Sequence, residues 1–69
     1  MEIENTISRE ARTLRVEVDV ILTQTRSGWK VALAYEHNKD EICGGGHHTY
    51  LNAAILLAFA NARGLGYAA

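Results

Sequence analysis

From Leu14 to Leu22 the even positions are apolar, Leu14, Val16, Val18, Val20 and Leu22, while the odd ones read Arg15, Glu17, Asp19 and Ile21. A period of two sends alternate side chains to opposite faces, so this segment is predicted to be a half-buried β-strand. After polar Thr23 to Gly28 the alternation resumes, with Trp29, Val31, Leu33 and Tyr35 on one side and Lys30, Ala32, Ala34 and Glu36 on the other. The pair predicts an antiparallel hairpin. A tight Ser27-Gly28 turn would oppose Asp19 to Glu36, two like charges. A longer loop from Thr23 to Gly28 opposes Arg15 to Glu36 and Leu22 to Trp29, and charge favours it.

Asn38-Lys39-Asp40-Glu41 reads as a second polar turn, and Ile42-Cys43-Gly44 as a short third strand weakened by its glycine. From His48 or Thr49 to Arg63 the residues are strong helix formers. Arg63 suits the negative helix pole, and Gly64 followed by Leu65 matches a glycine stop. Within residues 1–12, Thr6 to Arg12 fits either a helical turn or an extension of the first strand, and an extended lead-in is favoured. The expected fold is α+β: a β-β-β-α domain over residues 1–69, a three-stranded antiparallel meander with one C-terminal helix packed on one face.

That helix is apolar on more than one side. Leu51, Ile55, Ala58, Phe59 and Ala62 form a stripe that can cover the sheet, while Tyr50, Ala53, Ala54, Leu57 and Ala60 lie on the other side of the cylinder. One sheet cannot bury both. The second stripe is therefore expected to be a partner interface, a two-fold homodimer packed helix on helix or a docking surface for another protein. The alternative is an N-terminal segment folded back over the helix, anchored by Ile3 and Ile7.

Composition sharpens this expectation. A chain of 69 residues buries only about 60% of its unfolded surface, so a staple or partner is expected. A single cysteine, Cys43, allows no internal disulfide and fits a reducing, cytoplasmic setting. Met1-Glu2-Ile3-Glu4-Asn5 has no basic region leading an apolar stretch, so no secretory signal is expected. The longest apolar run, Ala53 to Ala60, falls short of the roughly 20 residues that cross a bilayer. With a net charge of -1 and a pI near 6.3, the chain offers no general cationic field, and nucleic acid is not the expected partner.

The stretch from Ile42 to Thr49 is where chemistry could reside. Gly44, Gly45 and Gly46 ahead of a helix could turn several N–H groups toward a phosphate or carboxylate, with His47 and His48 beside them. The plainer reading is a flexible connection. Cys43, His47 and His48 are zinc-ligand types, but their spacing has no Cys-x-x-Cys knuckle, and adjacent histidines diverge. His37 in the hairpin belongs to the same ligand class. Cys43 with His47 is the sole conceivable nucleophile and base, and a domain this size has little volume for a pocket. No enzymatic activity, cofactor or metal is expected.

From Trp29 to Leu65 the order of strand, turn, short strand, glycine-rich connection and alanine-rich helix resembles the second half of a double-stranded-RNA-binding domain. It also resembles a HicB-type antitoxin module. The first resemblance implies phosphate contacts at the helix opening, where His47 and His48 stand in place of that family's lysines. It defines an alternative function, a nucleic-acid binder using Gly44 to His48 with Arg15, Arg26, Lys30 and Lys39. Zinc or anion binding is a further alternative. The leading expectation is a small, non-catalytic protein-interaction module, a homodimeric inhibitor or regulator of another protein. Phage and mobile-element inhibitors such as anti-CRISPR proteins, and antitoxins, typify this size class.

Overall fold

A computed structural model describes residues 2–69. Helix α1 (Glu2–Ala11) leads into strands β1 (Val18–Thr25), β2 (Gly28–Tyr35) and β3 (Asn38–His48), and helix α2 (Leu51–Ala62) follows. The strands form one antiparallel sheet in the order β1-β2-β3. The expected meander with a helix on one face is present, and a second helix accompanies it.

That second helix replaces the extended lead-in. Glu2 and Glu4 in its first turn and Arg9 in its last suit the helix dipole, and Ile3, Ile7 and Glu10 fall at helical spacing. Ile3 and Ile7 pack against the core. Thr6 is buried, its hydroxyl 2.8 Å from Asn52 Oδ1 on α2 and 3.0 Å from the Glu2 carbonyl oxygen. At the other end Arg63 Nη1 donates to Glu10 Oε1 (3.2 Å) and to Thr13 Oγ1 (2.8 Å). α1 therefore lies along one flank of α2.

The hairpin takes neither expected register. Thr25 pairs with Gly28 across a two-residue turn, and Val20 pairs with Leu33 and Leu22 with Val31. This register also keeps apolar faces together, and Gly28, at φ 136°, supplies the turn geometry that a side chain would resist. It brings Glu36 against Glu17, with the Glu36 amide donating to the Glu17 carbonyl oxygen at 3.0 Å. Both carboxylates stand in solvent. A hydrogen bond to Glu17 and repulsion from its charge push the Glu36 carboxyl above its ordinary range. Charge avoidance does not set the register here, because both carboxylates stand in water, where repulsion between exposed charges is weak.

The glycine run is strand, not connection. β3 is 11 residues long, and Gly44, Gly45 and Gly46 pair with Leu33, Ala32 and Val31. Cys43 is an extra residue between the paired Ile42 and Gly44, a bulge that turns both Cys43 and Gly44 into the core. A Cβ on Gly44 would lie 2.6 Å from the Ala58 carbonyl oxygen, and one on Gly46 2.6 Å from that of Ala54. α2 thus rests on the β3 backbone through its alanine side, Ala54, Ala58 and Ala62. Its larger residues, Ile55 and Phe59, fill the core with Val31, Leu33 and Leu14. Each such burial is worth about 1.5–3 kcal/mol.

α2 also stops later than expected. Arg63–Tyr67 continues as a wide helical turn, and Gly66, at φ 101°, ends it in place of Gly64. Leu65 is exposed and makes no capping contact with the core. Beyond the stop the tail folds back: Leu14 bridges Ala68, the Arg15 amide donates to the Tyr67 carbonyl oxygen, and the Ala69 amide donates to that of Thr13.

Two tests follow from this packing. Gly44→Ala is expected to lose about 2–3 kcal/mol in urea unfolding, because α2 must lift. Gly64→Ala, with open space around its Cβ, should gain up to about 1 kcal/mol. Glu36→Gln addresses the carboxylate pair. A carboxyl whose folded pKa is raised loses stability as pH rises through that value, so the variant should unfold at higher urea than wild type at pH 7, and the difference should vanish as the carboxylates become protonated in acid.

Candidate functional site

The residues expected at an interface divide into two groups. Ala54 lies in the core, fully buried, its carbonyl oxygen against Gly46. It faces the sheet and is removed from the outer stripe. Tyr50 is 71% exposed and Leu57 41%, with Ala60 exposed and Ala53 half-buried. Leu56, 38% exposed, takes the place of Ala54; helical spacing puts it between Ala53 and Ala60, where a full wheel of the helix would have found it. α1 shields the flank at Asn52 and Arg63 and leaves this ridge open.

The ridge is self-complementary in sequence. Positions equidistant from the midpoint between Leu56 and Leu57 are Ala53 with Ala60, and Tyr50 with Arg63. In two helices crossing antiparallel about a two-fold axis at that midpoint, Leu56 meets Leu57 of the second copy and small meets small.

The anion-binding alternative fits poorly. Nests of N–H groups need alternating left- and right-handed residues, and Gly44–Gly46 are extended, with positive φ among the described residues only at Gly28 and Gly66. The metal alternative, Cys43 with His47 and His48, is dispersed by the pleat. Cys43 is in the core, His47 shares the outer face of the sheet with Lys30, and His48 shares the helix face with Trp29. His47 Nε2 lies 3.3 Å from Thr25 Oγ1 and 3.4 Å from Ser27 Oγ, while His48 Nδ1 accepts the Tyr50 amide at 3.0 Å. His37 stands edge-on to Tyr35, 5.5 Å between ring centroids. Among the described residues no three His, Cys, Asp or Glu converge.

The cations of the nucleic-acid alternative are likewise dispersed. Lys39 is paired with Asp19, and Arg15 donates from Nε to the Gly66 carbonyl oxygen and lies 5.3 Å from the Tyr67 ring centroid. Arg26 in the hairpin turn and Lys30 near His47 sit at one end of the sheet. Leu51, Asn52 and Ala53 open α2 without a lysine.

Cys43 is paired with neither histidine. Burial raises its thiol pKa, reinforced by the Glu41 charge and offset in part by Tyr67 and Arg15. The Tyr67 hydroxyl donates to Glu41 Oε2 at 2.8 Å, and that bond, with burial, pushes the phenol up to about 12. These groups clamp the tail over β3.

We expect Cys43 in folded protein to react with a disulfide reagent at least about a hundredfold more slowly than in urea-unfolded chain, since attack must await opening of the core. Equal rates would take the thiol out of the core. Comparison of this chain with protein-family models, curated proteins and solved structures finds no match.

Proposed function

We propose that this chain is a non-catalytic protein-interaction module that works as a two-fold homodimer and regulates or inhibits another protein. One observation carries the reading: an apolar ridge on α2, from Tyr50 through Leu56 and Leu57 to Ala60, that neither the sheet nor α1 covers. A monomer of this size gains solubility by hiding such a ridge. The small-large-large-small order of Ala53, Leu56, Leu57 and Ala60 suits a copy of itself. Dimerisation also supplies buried surface that a chain of 69 residues lacks. A single buried thiol is in keeping with a reducing cytoplasmic compartment. No helix of the described residues is long and apolar enough to cross a membrane.

Light scattering across a concentration series tests the dimer. Wild type is expected to run at twice the monomer mass at micromolar concentration, Leu57→Arg as a monomer, and Ile21→Arg, on the opposite face of the sheet, as a dimer. A monomeric wild type, or a dimer that survives Leu57→Arg, would remove the ridge from the reading.

A further inference from the structure

The two edges of the sheet are treated differently. On the β3 edge the Asn61 side-chain amide donates to the Gly45 carbonyl oxygen, so α2 reaches over and closes part of that edge, and the Cys43 bulge interrupts the rest. Bulges and covering groups are the ordinary means by which sheets refuse an extra strand. β1 has neither.

In an antiparallel pair only alternate residues turn their N–H and C=O toward the neighbouring strand. The Glu36 amide bonds the Glu17 carbonyl, which makes Asp19, Ile21 and Thr23 the residues of β1 that face β2. Val18, Val20, Leu22 and Gln24 consequently turn their backbone groups outward, where no backbone or side-chain partner meets them among the described residues. Leu22, on the helix side, is 40% exposed because α2 lies over β3 and β2 and stops short of β1, and Ile21, on the opposite face, is 47% exposed. Asp19, the one charged residue between Val18 and Gln24, lies on the outer face of the sheet beside Ile21 and is paired with Lys39. Beside it, Glu17 and Glu36 oppose each other with no cation paired to either carboxylate among the described residues.

We infer that the β1 edge receives an antiparallel strand of the regulated protein, an extended apolar segment whose carboxyl end carries lysine or arginine beside Glu17 and Glu36. The unpaired peptide groups of Val18 to Gln24 call for the backbone of an extended chain, which distinguishes this occupant from a helix. Its side chains on the helix side extend the apolar row of Val18, Val20 and Leu22, and a cation at its end relieves the repulsion of the two carboxylates. This inference rests on the interaction-module reading and is independent of the ridge on α2, which lies away from β1.

The probe is a capped nonapeptide alternating valine and threonine with a carboxyl-terminal lysine, titrated into isotope-labelled protein and followed by nuclear magnetic resonance. The amide signals of Val18, Val20, Leu22 and Gln24 are expected to shift and to exchange with solvent at least fivefold more slowly. Val20→Pro removes one outward donor where an edge strand tolerates proline, and should weaken binding at least tenfold. Leu22→Lys serves the same end should the proline variant not fold. Glu17→Lys should weaken the lysine peptide and strengthen its glutamate-ended counterpart. Measurements on Leu57→Arg should give the same affinity as wild type, which separates this result from the fate of the dimer. Equal affinity of Val20→Pro, Leu22→Lys and wild type would overturn the assignment. So would shifts centred on Gly45 or Leu57, no binding at millimolar peptide, or the same β1 shifts on concentrating the protein alone.

Discussion

Everything in this fold is arranged around the direct seating of α2 on the backbone of β3. A helix usually stands off a sheet by the thickness of two layers of side chains. At Gly44 and Gly46 there is no side chain on the strand, and Ala54, Ala58 and Ala62 supply the least possible on the helix. The helix sits close in that gap, and its bulky residues, Ile55 and Phe59, fill the core with Val31, Leu33, Cys43 and Leu14. Dispersion contacts across so short a distance are dense and intolerant of one added methyl group.

This close seating has consequences on both sides. Over β3 it draws Asn61 far enough to reach the Gly45 carbonyl, closing one edge. Over β1 it leaves Leu22 exposed, with Val20 half-buried at the margin of the core. α1 covers one flank of α2, held by Thr6 and Asn52 at one end and by Glu10, Thr13 and Arg63 at the other. The top of α2 stays bare. The exposed apolar surfaces are thus what remains when one helix is pulled tight against one strand.

Much of the sheet could be read from the chain, because alternation at Val18, Val20, Leu22 and at Val31, Leu33, Tyr35 follows from a buried face. Register could not, since every pairing that keeps this parity satisfies the same faces, and only the turn at Arg26-Ser27-Gly28 distinguishes them. The glycine run misled for a physical reason: propensity scores the residue itself, whereas the demand for glycine at positions 44 and 46 comes from a helix that follows later in sequence. α1 was obscured by its many polar residues, although Ile3, Ile7 and the charges at its ends carried the signal. Of the outer stripe, Tyr50, Ala53, Leu57 and Ala60 were legible from the helical wheel. Ala54 was not, because the direction from which the strand approaches is invisible to a helix considered alone.

The seating of the helix also constrains how such a chain can change over generations. Glycine at 44 and 46 and alanine at 54, 58 and 62 form one steric unit, so a larger residue at any one of them requires the helix to lift and the others to vary with it. The pattern Gly-x-Gly, seven residues, then Ala-x-x-x-Ala-x-x-x-Ala is accordingly a signature of geometry, able to mark distant relatives whose surfaces and partners have diverged beyond recognition.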